Sequence, residues 1–263
     1  LIVASARTET IRVAGCTVNV MRGGTGAPIL YLHGAGGAGV WLPFMEALSE
    51  RFDLIVPDHP GFGRSDRPDW LDQLSDLAYF YLDFIDALGL EDVHLVGHSL
   101  GGWIAAEIAV RSTRRLRTLT LVAAAGIHVA GVSKGDLFLW APEERIRNLY
   151  FDQRLAEQRL AQPVTEEQTD IMLKNELQTA NLAWQPRFHD PQLRNWLHRI
   201  DIPTLIVWGD SDKLFPERYA EEYRRLIKGA VLEVLPSCGH LPQVEQADKF
   251  VGLVNRFVTE RAP

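Results

Sequence analysis

Cysteine and methionine are scarce in this 263-residue chain, which has two cysteines, Cys16 and Cys238, and three methionines. Two cysteines this far apart exclude a disulfide framework and a cysteine-rich metal site. They read as free thiols of a reducing compartment. Basic runs are also missing: 27 Lys and Arg face 34 Asp and Glu, a formal net charge of −7. That excludes the electrostatic footprint of a nucleic-acid binder. No apolar run is long enough to span a bilayer. The opening Leu1-Ile2-Val3-Ala4-Ser5-Ala6-Arg7 lacks a charged segment ahead of its short apolar stretch, so it makes a poor signal peptide. The chain starts without Met, which fits a trimmed N-terminus, and a cytoplasmic location is the expectation. Internal repeats and low-complexity segments are lacking too.

What is present is a large apolar fraction, 46%, enough for one sizeable domain or a domain with one insertion. Thr10 to Val13 and Thr17 to Met21 alternate as an opening hairpin around Gly15. Four apolar runs follow, at Ile29 to Leu32, Leu54 to Val56, Val93 to Val96 and Leu116 to Val122. Helical patterns separate them, which predicts a parallel sheet covered on both faces. Two more strands, Thr204 to Trp208 and Val231 to Leu235, flank a helix near Glu217 to Ile227. A last helix runs from about Val244 to Glu260. The total is an α/β architecture with about eight strands. Residues 127–199 break the rhythm, and they are read as a helical cap inserted into a core of 1–126 and 200–263. Such a cap would lie over the carboxyl ends of the strands, where open α/β sheets bind ligands.

The chemistry starts at Gly97-His98-Ser99-Leu100-Gly101-Gly102, between the strand ending at Val96 and a helical pattern from Trp103. Gly-x-Ser-x-Gly in that setting is a nucleophile elbow, whose glycines avoid collision with neighbouring backbone. A serine hydroxyl needs a base, an orienting acid and oxyanion donors. His240, in Ser237-Cys238-Gly239-His240-Leu241 after the final strand, is the candidate base. Asp210 and Asp212, in Trp208-Gly209-Asp210-Ser211-Asp212, compete for the acid. Asp212 lies further along the loop and is preferred, with Asp210 as a turn residue. The order Ser, Asp, His is the one this architecture uses.

Leu32-His33-Gly34-Ala35-Gly36-Gly37-Ala38-Gly39 admits two readings. Gly34, Gly36 and Gly39 satisfy a dinucleotide fingerprint, with Asp58 about 20 residues on. The His-Gly opening and the serine machinery downstream instead favour an oxyanion loop. The donors would be the N–H groups of Ala35 and Leu100. That reading needs no cofactor and no metal. Asp58-His59-Pro60-Gly61-Phe62-Gly63-Arg64-Ser65 reads as a loop that braces the site, with His59 structural.

These motifs, in this order, resemble the α/β-hydrolase family over nearly the whole chain outside the cap. The resemblance implies an α/β-hydrolase fold, a Ser99–His240–Asp212 triad and a small-molecule substrate. It supports Asp212 through the family's Trp-Gly-x-x-Asp pattern. Haloalkane dehalogenases and epoxide hydrolases of this fold carry aspartate at the elbow, so Ser99 argues against both. The meta-cleavage C–C hydrolases are similar in Gly239-His240-Leu241-Pro242-Gln243-Val244-Glu245 and Phe151-Asp152-Gln153. They usually place Asn before the serine, where this chain has His98, and they use a cap arginine, for which Arg187 is the candidate. Perhydrolases and lactonases share the same triad.

The expectation is a serine esterase, a carboxylesterase acting on hydrophobic or aromatic esters. C–C hydrolysis of vinylogous diketone ring-fission products is second. A non-catalytic ligand- or partner-binding relative is the alternative of another class. Gly34, Trp41, His98, Trp103, Trp140, Trp184 and Leu241 are the candidate substrate contacts, with Trp196, Phe138 and Phe188 as further apolar candidates.

Overall fold

Apolar runs become strands here because both of their faces are covered. The computed structural model describes residues 6–261. The Leu1–Ser5 start considered above as a leader lies outside the described residues. The chain opens with a hairpin, β1 (Arg7–Val13) and β2 (Cys16–Gly23), turning at Ala14 and Gly15, both with positive φ. Then come β3 (Pro28–Leu32), α1 (Pro43–Ser49), β4 (Asp53–Pro57), α2 (Leu74–Ala87), β5 (Val93–His98), α3 (Leu100–Arg111) and β6 (Leu116–Val122). Four helices follow without a strand: α4 (Pro142–Leu149), α5 (Gln153–Ala161), α6 (Glu166–Ala183) and α7 (Leu193–Trp196). β7 (Thr204–Gly209), α8 (Arg218–Leu226), β8 (Val231–Leu235), α9 (Pro242–Glu245) and α10 (Ala247–Arg261) complete it. The single closing helix expected from about Val244 is thus two helices, parted at Gln246, whose backbone is not helical.

The eight strands order as β1-β2-β4-β3-β5-β6-β7-β8. The β1–β2 and β2–β4 pairings are antiparallel and the rest are parallel. Strand alternation divides the interior in two. Leu30, Leu32, Ile55, Leu95, Ile206 and Trp208 face α2, α3 and α8. Ile29, Tyr31, Leu54, Val56, Val96, Leu205 and Val207 face α1 and α10 through Phe44, Leu48, Phe250 and Val254. Full burial of one such side chain contributes ~1.5–3 kcal/mol. Among the described residues no helix is long and apolar enough to cross a membrane.

Helix α3 is buried on almost every side, from Leu100 to Val110. Its carboxylate Glu107 accepts from Trp103 Nε1 at 3.0 Å and pairs with Arg111. Burial pushes the Glu107 carboxyl up, against the pull of Arg111. The helix crosses its own strand closely. A Cβ on Gly97 would stand 2.3 Å from Gly101 O, and one on Gly101 would stand 2.1 Å from Leu32 O. Gly101→Ala is therefore expected to cost about 3 kcal/mol or more, because the colliding atom is backbone and cannot move aside. Thermal denaturation of purified variant against wild type checks this.

Candidate active site

Every candidate chemical group leaves the carboxyl end of a parallel strand. Ser99 follows β5, Asp212 follows β7, His240 follows β8, and the His33–Gly39 loop follows β3. Ser99 takes φ 53° and ψ −114° as the cap of α3, which lifts its hydroxyl off the backbone. Its Oγ lies 2.9 Å from His240 Nε2, and His240 Nδ1 lies 2.7 Å from Asp212 Oδ2. All three residues are buried. The second oxygen of Asp212 accepts from the amides of Leu214 at 2.8 Å and Phe215 at 3.0 Å, which fixes the carboxylate plane. Asp210 instead accepts from Ser211 Oγ and from Cys238 N, as expected of a turn residue. Cys238 is no rival nucleophile. It is free and buried, and burial pushes its thiol up to about 12.

Ala35 lines the same cavity as Ser99, while Leu100, the next residue after Ser99 in the chain, is buried and is not part of that lining. Leu100 is the first residue of α3, so its N–H has no intrahelical acceptor. Ala35 is the second residue of a turn closed by Gly37 N–H donating to Gly34 O at 3.1 Å. Its own amide stands outside that bond. The Gly34 carbonyl, in the same peptide plane as the Ala35 N–H, also accepts from His33 Nδ1 at 2.7 Å. His33 Nε2 accepts the His59 amide at 3.1 Å, which sets the His33 tautomer. His59 in turn donates from Nε2 to His33 O at 2.9 Å and accepts on Nδ1 from the Tyr81 hydroxyl. His98 donates from Nε2 to the His240 carbonyl at 3.0 Å, bracing the backbone that carries the His240 imidazole.

An apolar cavity of about 650 Å³ opens beside these groups. Its lining includes Ser99, His240, Gly34, Ala35, His98, Leu241 and Trp184, together with Tyr31, Met45 and Leu149. It does not include Trp41, Trp103 or Trp140. Trp41 donates to Glu46 and packs on Gly23, Trp103 is bound to Glu107 inside the core, and Trp140 closes on Gly135. Each of these three indoles fills a structural gap instead. Phe138 reaches the cavity, while Phe188 stacks behind it and Trp196 is half-exposed beside His198. The two stretches singled out in sequence, Gly239 to Glu245 and Phe151 to Gln153, meet here: Glu245 accepts from the amides of Gly239, Phe151 and Asp152, tying the His240 loop to the helices before β7.

Residues 27–247 match the family model for the alpha/beta hydrolase fold. The chain belongs to this family. The alpha/beta hydrolase is 28% identical to a 2-hydroxymuconate semialdehyde hydrolase of Pseudomonas sp. (strain CF600), over 95% of this chain and 93% of that one. It is 30% identical to the dihydrolipoyllysine-residue acetyltransferase component of the acetoin cleaving system of Cupriavidus necator, over 97% of this chain and 70% of that one. Among solved structures it resembles a membrane phospholipase A described as a bacterial virulence factor, with TM-score 0.79 and 26% identity. That match covers 98% of this chain and 87% of the other.

Four buried histidines of this hydrolase are held neutral. Burial lowers His33 and His59, takes His94 down to about 4, and takes His98 down to about 3 with help from His240. An unfolded chain protonates each near its ordinary 6.5, so it binds more protons than the folded one as pH falls. Stability is therefore full above pH 6.5 and declines as pH drops toward 4, by up to ~1.4 kcal/mol per pH unit for each histidine. Denaturant titrations at pH 7, 6 and 5 should show this early loss. A stability flat from pH 7 to 5 would contradict it.

Proposed function

We infer that this hydrolase cleaves carboxylic esters of hydrophobic or aromatic small molecules through an acyl-enzyme on Ser99. The carrying observation is the buried Asp212–His240–Ser99 relay opening onto an apolar cavity. His240 takes the hydroxyl proton as Ser99 attacks the ester carbonyl, and Asp212 stabilises the imidazolium. The Ala35 and Leu100 amides receive the oxyanion. The alcohol leaves with the proton from His240, and water activated by the same imidazole releases the acid. Residues 127–199 act as the cap over the cavity. Arg187, the candidate cap arginine, supports the ester reading by its placement. It pairs with Asp136, lies 4.1 Å from the Trp184 ring centroid, and is absent from the cavity lining. The solved relative named a phospholipase A points the same way.

The second reading is C–C hydrolysis of a meta-cleavage product. The relative named 2-hydroxymuconate semialdehyde hydrolase favours it. So does Arg159, a cation on the cavity wall with no carboxylate partner among the described residues, which suits a dienoate.

Turnover of 4-nitrophenyl esters of two to twelve carbons, an aryl lactone and a ring-fission dienoate separates these readings. The ester reading predicts an optimum above acetate and loss of turnover in Ser99→Ala. Asp212→Asn should fall ~10⁴-fold in kcat, from loss of the correct imidazole tautomer. Dienoate turnover with negligible ester hydrolysis, sensitive to Arg159→Gln, would reverse the ranking. Failure of an organophosphonate to label Ser99 would favour a binding protein.

A further inference from the structure

Helix α6 is amphipathic in the inverted sense over its middle turns, ahead of the buried Leu182 and Ala183. Its apolar Met172, Leu173 and Leu177 are exposed at 40%, 54% and 68%, while polar Asn175, Gln178 and Thr179 are buried to 2–3%. The Gln178 side chain accepts from Arg67 Nε at 3.2 Å and leaves its Nε2 without a partner among the described residues, whereas Asn175 and Thr179 spend their polar groups on specific partners. Those partners are two loops at the carboxyl edge of the sheet. Asn175 Nδ2 donates to Gly36 O at 3.0 Å, and its Oδ1 accepts the Gly63 amide at 2.8 Å. The second bond fixes which end of the amide faces Gly36. Thr179 Oγ1 donates to Ala35 O at 3.4 Å. One residue before Asn175, Lys174 Nζ holds Gly63 O and Ser65 O at 3.0 and 2.7 Å. Gly37 takes φ 89°, and a Cβ there would stand 2.5 Å from Asn175 Nδ2, so the loop is shaped to the asparagine.

We propose that Asn175 and Thr179 are positioning residues that clamp the Gly34–Gly37 turn from the α6 side and so set the aim of the Ala35 amide. The inference rests on the acyl-enzyme reading above and extends it from the sheet edge to α6. The core holds only one side of this turn, through His33 and Gly37 bonding to Gly34 O. The carbonyls of Ala35 and Gly36 are held from α6 alone among the described residues. A chain of glycines has little stiffness of its own. An oxyanion donor works only when it already points at the place where charge develops, and displacement by about 1 Å can cost ~10²-fold in rate. Asn175 and Thr179 also line the cavity, but their polar atoms are engaged on the loops, so the clamp should act mainly on kcat with only a small effect on KM.

The test compares wild type with Asn175→Ala, Asn175→Asp and Thr179→Val on 4-nitrophenyl butyrate. The aspartate keeps the acceptor for Gly63 N–H and turns the donor facing Gly36 O into an oxygen. Each variant is also titrated with an aryl trifluoromethyl ketone, which Ser99 Oγ adds to, giving a hemiketal oxyanion while the serine proton passes to His240. The expected result is kcat down about 10–100-fold for both Asn175 variants, KM within about threefold, and ketone affinity falling in step with kcat/KM. Thr179→Val, which loses only a hydroxyl, should show the same pattern at about 3–10-fold. It carries the comparison if Asn175→Ala does not fold. Folded variants with a lowered melting temperature but kcat and ketone affinity within twofold of wild type would overturn the clamp. Ser99→Ala run alongside separates the two claims. Turnover that survives Ser99→Ala overturns the acyl-enzyme reading, whereas Ser99-dependent turnover indifferent to Asn175 and Thr179 overturns only the clamp.

Discussion

Ser99 is held at φ 53° and ψ −114°, a backbone conformation that an L-residue keeps only when its surroundings over-determine it. Here they do. The Ser99 amide donates to Val122 O at 2.9 Å, and its carbonyl accepts from Trp103 at 3.1 Å and Ala125 at 3.0 Å. The elbow is thereby bonded to β6, to α3 and to the loop after β6. Strain of this kind, of order 1–3 kcal/mol, is stored in the turn and offset by the packing of α3 against β5. Without it the hydroxyl would not stand clear of the sheet within reach of His240. The close glycine contacts at Gly97 and Gly101, the burial of α3 and the parallel pairing of β5 with β6 all serve this one turn.

A second constraint is that the buried imidazoles packed around the Ser99 turn carry no charge. Of the ionisable residues nearest the turn, His33, His59 and His98 are neutral and each has both its tautomer and its partner fixed by hydrogen bonds. A cation next to His240 would disfavour its protonation, the step the proposed mechanism needs. The neutral ring of His98 instead supplies a donor to the His240 backbone. The carboxylate of Asp212, buried against His240, acts on it with little screening.

The sheet, and the meeting of Ser99, Asp212 and His240 at its edge, were legible because their signals are local. Near-continuous apolar runs mark buried parallel strands, and Gly97, Ser99 and Gly101 report a turn that few other residues can make. The chain order of Ser99, Asp212 and His240 follows from strand order. Trp184 reaches the cavity as expected, but three other tryptophans were not legible. Trp41, Trp103 and Trp140 are apolar and adjacent to motifs, yet each fills a gap created by a glycine or pairs with a glutamate four or five residues on. Arg187 was likewise placed by a partner, Asp136, that lies 51 residues away and that its sequence neighbourhood does not name. Asn175 and Thr179 did leave a trace, polar residues four apart in a stretch of helix where Met172, Leu173 and Leu177 are the exposed positions. That inversion gains meaning only once the burial of each face is known. The split of the closing helix at Gln246 is a one-residue departure that periodicity does not resolve.

The central claim is that Ser99 forms a covalent acyl intermediate. Intact-mass analysis of enzyme acid-quenched during turnover of a 4-nitrophenyl alkanoate tests it most directly. The account predicts a mass increase equal to the acyl group, located on the peptide bearing Ser99 and decaying as substrate runs out. Rapid hydrolysis with unmodified Ser99 at every quench time, together with a pre-steady-state release of nitrophenol lacking any burst, would contradict it.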